Sequence, residues 1–319
     1  MHEFKLINNY FSKISKKNKS ALNLNDDVFF DKKKGIVISI DTYLVGSHFI
    51  NFKSPKLVIT KILRSSISDL ICKGVKPKFY FLSGSGNKIS FSKKNLSEIS
   101  ASLQDEQKKY NIKLSGGDTT FSNKLSFTIT SLGYSNNIIY RNKAKLNDDI
   151  YVTGNLGDSY IGLQILKKKI SVDKKDDKFF INKYYQPEIQ IKLCGHLLKL
   201  ANTSIDISDG LFDDLKKMIN RQNLSFKLYE KSLPISLNLK KLIINKNLKK
   251  IDVVSNGDDY QVLFTANAFK ERIIKNISRN IGVKITKIGK IISRKNRSVI
   301  IDAKGKQIKA NKKGYIHQF

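Results

Sequence analysis

The chain has 319 residues, 40% of them hydrophobic, and a formal net charge of +32 from 59 Lys+Arg against 27 Asp+Glu. That length accommodates two ordinary domains, and no run approaches the ~18 consecutive apolar residues of a membrane helix. Seven of the basic residues are arginine and they are scattered, while Asn and Ile are abundant; this is the imprint of AT-rich coding rather than of a nucleic-acid surface, where arginine is the usual base reader.

In chain order, apolar spacing over residues 4–14 predicts a helix. Residues 35–41 read as a buried strand that delivers Asp41 at its end. Ser54-Pro55 opens a helix, with serine as N-cap and proline in the first turn. Leu57, Val58, Ile62, Leu63, Ile67, Leu70 and Ile71 mark its apolar face, and Asp69 lies near its C-terminal end, against the helix dipole. A strand over 78–83, a flexible Ser83-Gly84-Ser85-Gly86 turn, a helix over 92–110, a short strand at 112–114 and a long strand over 125–134 complete a first unit, residues 1–145. The second unit, 146–319, opens with a strand at 149–153 and a helix over 158–168. A charged loop over 170–178 follows, with a helix starting at Pro187. After Ser204–Asp209 come a helix from about Gly210, a strand at 226–229, a helix at 237–244, a strand at 261–265, a helix at 268–280 and strands at 284–291 and 298–302. The N-terminus lacks a signal-peptide layout, and Cys72 and Cys194 have no metal-type spacing, so free thiols in a reducing cytoplasm are expected.

Six aspartates stand out in this acid-poor chain: Asp27, Asp41, Asp69, Asp118, Asp206 and Asp209. If they converge, their mutual repulsion calls for divalent cations, and hence for a phosphorylated ligand. In Ser115-Gly116-Gly117-Asp118-Thr119-Thr120 the paired glycines would let backbone approach a phosphate; the bland alternative is a tight turn with a capping aspartate. In Asp206-Ile207-Ser208-Asp209-Gly210-Leu211, Ser208 or Asp209 could simply cap a helix. Asn25-Asp26-Asp27 is also compatible with an Asx turn, and His48, one of four histidines, with a structural role. There is no P-loop, no zinc spacing and no protein-kinase signature.

The order and spacing of these motifs resemble thiamine-monophosphate kinase, a family related to aminoimidazole-ribonucleotide synthetase and selenophosphate synthetase. The matching stretches are Asn25-Asp26-Asp27, Ser39-Ile40-Asp41-Thr42 with Gly46-Ser47-His48-Phe49, Ser68-Asp69-Leu70 with Gly74, and Leu114 to Thr120. Asp149 to Gly154 with Gly157-Asp158-Ser159, Ser204 to Leu211, and Lys313-Gly314-Tyr315-Ile316-His317 continue the series. The resemblance implies an α+β fold of two domains, the first forming a homodimer and binding Mg-ATP, the second completing the site. It implies transfer of a phosphoryl group from ATP to thiamine monophosphate. It places several Mg²⁺ ions at Asp27, Ser39, the Ile40 backbone, Asp41, Asp69, Asp118, Asp206 and Asp209. Nucleotide contacts fall at Gly117, Asp118, Arg141 and Ser208, and substrate contacts at His48, Asp258 and Tyr315. No residue is required as general acid or base, and neither a membrane nor a specific nucleic acid is a partner. The chain departs from the family pattern in having Asn23 and Asn25 where glycines are usual, Arg64-Ser65-Ser66 for Ala-Val-Asn, and Asp258 for Glu. Another enzyme of the superfamily and a polyanion-binding relic are the competing readings. The absence of a reactive cysteine near the N-terminus and of arginine clusters speaks against them.

Overall fold

The computed structural model describes residues 3–309, so Tyr315 and the tail around it lie outside the described residues. Helical turns come first: α1 (Glu3–Leu6), a π turn (Ile7–Phe11), α2 (Ser12–Ser15) and a 3-10 segment (Lys19–Leu24). Then follow β1 (Phe29–Asp31), β2 (Ile36–Leu44), α3 (Pro55–Cys72), β3 (Pro77–Gly86), α4 (Lys93–Tyr110), β4 (Lys113–Phe121) and β5 (Ser126–Tyr134). The five strands form one sheet in the order β1-β2-β5-β3-β4, antiparallel except for the parallel β3/β4 edge. Along β5 every second residue, from Phe127 to Gly133, is buried, as a sheet covered on one face requires.

The rest of the chain builds β6 (Asp149–Thr153), α5 (Asp158–Leu166), α6 (Lys174–Tyr185), α7 (Ile191–Leu200), β7 (Thr203–Asp206), α8 (Leu211–Met218), β8 (Leu224–Tyr229), α9 (Leu237–Asn245), α10 (Lys250–Val254), β9 (Val262–Ala266), α11 (Glu271–Ile281), β10 (Ile285–Ser293), β11 (Val299–Ile301) and β12 (Gln307–Ile308). Its seven-stranded sheet runs β12-β11-β8-β10-β6-β9-β7. Helix α3 packs on β2 and β5 of the first sheet and on β7 and β9 of the second. It is therefore buried almost all round, from Val58 through Ser68, and not only on the apolar face expected. One hydrophobic core joins Tyr43, Phe49 and Ile62 to Tyr184, Leu197 and Phe264.

Four local expectations are corrected. Residues 170–178 are not all loop: α6 starts at Lys174, capped by the Asp173 carboxylate accepting from the Asp176 N–H, and it buries Phe180 and Tyr184. Pro187 starts no helix; α7 begins at Ile191, and the Pro187 carbonyl accepts from Arg64 Nη1 at 3.2 Å. Ser83–Gly86 continues β3 rather than turning, paired with β4 on one side and β5 on the other; its glycines make room for Phe91, 3.1 Å from where a Cβ on Gly84 or Gly86 would sit. Ser54 holds the N-cap position of α3 but makes no side-chain capping bond.

Arg64 explains its own departure from the family pattern. Its Nε and Nη2 donate to the two Glu106 carboxylate oxygens, each at 2.8 Å, fastening α3 to α4 where both side chains are buried. Breaking a buried pair from one side strands the other charge. We expect Arg64→Ala to lower the unfolding free energy by about 3–5 kcal/mol in urea titrations, and Arg64→Met with Glu106→Leu to recover most of the loss.

Candidate active site

Two acidic loops are zipped together at the end of β7. The Asp258 N–H donates to the Ser208 carbonyl (2.9 Å) and the Tyr260 N–H to the Ile207 carbonyl (2.8 Å). A Cβ on Gly257 would fall 1.8 Å from the Ser208 carbonyl oxygen, so only glycine permits this approach. Beside these contacts Asp258 and Tyr260 sit at φ +68° and +50°, a region that residues with side chains rarely occupy. The capping alternative for Ser208 and Asp209 does not hold. The N-cap position of α8 is Gly210, and Asp214 accepts from the N–H groups of Asp209 and Gly210, both at 2.9 Å. The Asp206 and Asp209 side chains are thereby left for other work.

Asp206 is 2% exposed and accepts from Ser68 Oγ at 2.8 Å, which places it against the C-terminal end of α3. Burial pushes its carboxyl up to about 7, with Asp214 and Asp41 adding to the rise. Burial likewise raises Asp41, on β2, to about 6. Asp69 is pushed well above the usual carboxylate range by burial and then by Asp41 and Asp206, partly offset by Lys73 and Ser39. Ser39 Oγ donates to the Ser66 carbonyl at 3.2 Å. Asp206 is buried and Asp41 and Asp69 are partly buried beside it, three carboxylates within electrostatic reach of one another.

The other acids carry cations of the protein. Lys73, wholly buried, contacts Asp26 at 2.7 Å and Asp27 at 2.6 Å and donates to the Ser204 carbonyl at 2.9 Å. Arg141 donates through its backbone N–H to Asp26 (2.9 Å), through Nε to Asp27 (3.2 Å), and through Nη2 to Asp27. Lys217 pairs with Asp209 and, at 3.2 Å, with Asp214. Asn25-Asp26-Asp27 is therefore an anchored segment although the glycines usual beside it are absent. Asn23 takes φ +58°, which asparagine tolerates. Asn25 has an ordinary negative φ and exchanges amide hydrogen bonds with Asn220 at 3.1 and 3.0 Å.

Divalent cations were the expected compensation for converging acids; here lysine and arginine supply part of it. Among the described residues no group of three or more Asp, Glu, His or Cys side chains is arranged to hold a metal ion. The donor set nevertheless fits a hard cation. It consists of oxygens only, and Asp41, Asp69 and Asp206 stand together with more negative charge than Lys73 can offset.

Asp118 stands apart. Ser115–Thr120 is not a turn but lies in β4, the sheet edge, exposed along its whole length. Asp41, Ile129, Leu82 and Gly117 align in one row across β2, β5, β3 and β4, so Gly117 is about 14 Å from Asp41 at three strand spacings. A Cβ on Gly117 would lie 1.9 Å from the Leu82 carbonyl oxygen. Asp118 belongs to the next row, with Ser83, Thr128 and Thr42, whose side chains point to the opposite face. Ile40 (67% exposed) and Phe81 (38%) lie on that face too, in one row through Thr130. Within one chain, then, Asp118 does not meet the other five aspartates.

At the far end of the site, His48 Nδ1 accepts from the Leu44 N–H (3.0 Å) and the His48 carbonyl accepts from the Tyr184 hydroxyl (3.3 Å). The Tyr184 ring covers Lys61 Nζ at 3.7 Å, and Lys61 pairs with Asp258 at 2.8 Å. The structure so joins His48 to Asp258 through Tyr184 and Lys61. Sequence reading missed Lys61, Lys73, Lys217 and Asp214. One signal existed: Lys61 follows Leu57 and Val58 at helical spacing and so interrupts the apolar stripe of α3.

Residues 23–135 match the family model for AIR synthase related protein, N-terminal domain. The chain is 34% identical to the thiamine-monophosphate kinase of Haemophilus influenzae over 91% of its own length and 89% of that protein's. It is 31% identical to that of Escherichia coli K12, over 99% and 98%. Among solved structures, AaThiL complexed with AMPPCP and TMP superposes with a TM-score of 0.84 at 26% identity, covering 99% of this chain and 97% of that one. A HypE–HypF complex, at 0.73 and 16% over 95% and 98%, shares the fold.

Proposed function

The chain belongs to the thiamine-monophosphate kinase family, and we propose that it transfers the γ-phosphoryl group of ATP to thiamine monophosphate, giving ADP and thiamine diphosphate, with Mg²⁺ held by its aspartates. The observation that carries this reading is the clustered group Asp41, Asp69 and Asp206, whose carboxyls are raised by desolvation and by one another. Asp27, Asp209, Ser39 and the Ile40 carbonyl would extend this donor set. When bound, the magnesium ions would cancel charge between two anionic substrates. The acceptor is a phosphate monoester with a second pKa near ~6, already largely ionised at neutral pH, so no side chain has to remove a proton from it. The chain's own task is placement. Arg141 offers a planar fork to phosphate oxygens when Asp27 exchanges it for metal, Gly117 and Ser208 offer backbone and hydroxyl donors, and His48, Asp258 and Tyr315 take the thiamine end.

We place the domain boundary at 145/146, between the two sheets, and infer that two copies join through the exposed face of the first sheet. Ile40, Phe81 and the edge strand β4 lie on that face or at its rim, and we infer that the second copy supplies, across the sheet edge, the Asp118 that each chain's own fold directs away from Asp41. With Cys72 and Cys194 both free and buried, a reducing cytoplasm is the compartment we assign.

The test is direct: purified protein with ATP, Mg²⁺ and thiamine monophosphate should yield thiamine diphosphate and ADP, and EDTA should stop the reaction. Folded protein that forms no thiamine diphosphate would refute the assignment. A pH dependence follows as well. The folded pKa values of about 7 for Asp206 and about 6 for Asp41 exceed the ordinary 3.8, so the metal-free fold binds extra protons and loses stability as pH rises from about 4 to about 7. Magnesium binds the ionised form. Its effect on Tm should therefore be small at pH 5 and larger at pH 8, and a shift that does not vary with pH would remove these carboxylates from the metal site.

A further inference from the structure

We propose that Lys61 is a positioning residue for substrate: it fixes the Asp258 carboxylate so that one oxygen, Oδ2, faces the thiamine end of the site. The inference rests on the functional reading above and names a residue which that reading does not use. Lys61 projects from the middle of α3, and its side chain is 1% exposed. Its ammonium is confined by Asp258 Oδ1 at 2.8 Å, the Tyr184 carbonyl at 3.4 Å and the Tyr184 ring at 3.7 Å, with the Tyr260 ring at 5.9 Å. A buried ammonium is costly without a partner, so the contact to Asp258 is held in place by desolvation as well as by charge.

The Tyr260 hydroxyl donates to the same Oδ1, at 3.1 Å. Among the described residues both protein contacts to this carboxylate therefore fall on one oxygen. The Asp258 side chain is 27% exposed, and Oδ2 is the acceptor left for a ligand. The backbone beneath it is equally fixed, by the Ser208 and Ile207 carbonyls. Because Lys61 already balances the carboxylate, the pair is neutral overall and offers the substrate a directed hydrogen-bond acceptor more than a bare counter-charge. Tyr184, which covers Lys61, also reaches His48 at 3.3 Å, so the two substrate-end residues are tied to one enclosed ammonium.

The test compares wild type with Lys61→Met, Lys61→Gln and Asp258→Asn by calorimetric binding of thiamine monophosphate and by steady-state kinetics, with thermal melts to establish folding. Lys61→Met should weaken thiamine monophosphate binding and raise its KM about tenfold, while KM for ATP changes less than about twofold. Lys61→Gln, which keeps a donor to Asp258, should fall between. The double variant Lys61→Met with Asp258→Asn should be no worse than the poorer single, since both act through one carboxylate. If Lys61 serves packing alone, Tm falls but both KM values stay at wild type in whichever Lys61 variant folds; that result overturns the inference and leaves the kinase reading intact. Wild-type protein that fails to bind thiamine monophosphate overturns both.

Discussion

Asp118→Asn and Asp206→Asn proteins are each expected to be folded, dimeric and inactive, and mixing them with subunit exchange is expected to restore about a quarter of wild-type turnover. The arithmetic follows from the strand rows. If each site takes Asp206 from one copy and Asp118 from the other, a mixed dimer contains one site with both aspartates and one with neither. Half of the dimers in an equal mixture are mixed, which gives the quarter. If both aspartates came from the same copy, no site in any dimer would be complete and mixing would restore nothing. Asp118 points away from the face that bears Asp41, on an edge strand three strands distant. A cis site would need β4 to leave its pairing with β3, whereas a trans site needs only a second copy. Gel filtration of Ile40→Lys, which charges the exposed face, should show a monomer with little activity.

Lys73→Met is expected to be the most destabilising single change in the site, lowering unfolding free energy by about 3–5 kcal/mol. Lys73 is wholly buried and answers Asp26, Asp27 and the Ser204 carbonyl together. Its removal leaves the Ser204 carbonyl without that donor and concentrates both carboxylates on Arg141. The variant should recover part of its Tm with saturating Mg²⁺, which would take over the charge that Lys73 held. Denaturant titrations with and without Mg²⁺ check it; a wild-type midpoint in both would mean that Lys73 is a spectator. The positions of Asp26 and Asp27 depend on this lysine through the C-terminal end of α3, so the residual protein should also show a raised half-saturation for magnesium.

Much of the second sheet was legible because its signals are local. The strand at 149–153 and the helix begun at 237 follow from runs of apolar residues, with Gly154 after the one and Ser236 before the other. Ser115–Thr120 misled for the opposite reason. Paired glycines read locally as a turn, yet pairing with β3 extends them into a strand, and Gly117 is needed for close approach to Leu82 rather than for bending. The lysine-rich 170–178 region read as solvated loop, although Phe179 and Phe180 just beyond it pack into a satellite core and draw α6 back to Lys174.

The sequence by itself determined the family and the α+β class and singled out the six aspartates, because a motif's composition and order survive without coordinates. It could not say which lysine meets which acid. Lys73 meets Asp27, and Arg141 meets the same Asp27 from 114 residues away; such pairs are set by packing, and in so lysine-rich a chain nothing distinguishes them beforehand. Nor could it say which way Asp118 faces. In a sheet the side-chain direction alternates with each residue, so strand register alone, a property of tertiary structure, separates Asp118 from the other five aspartates.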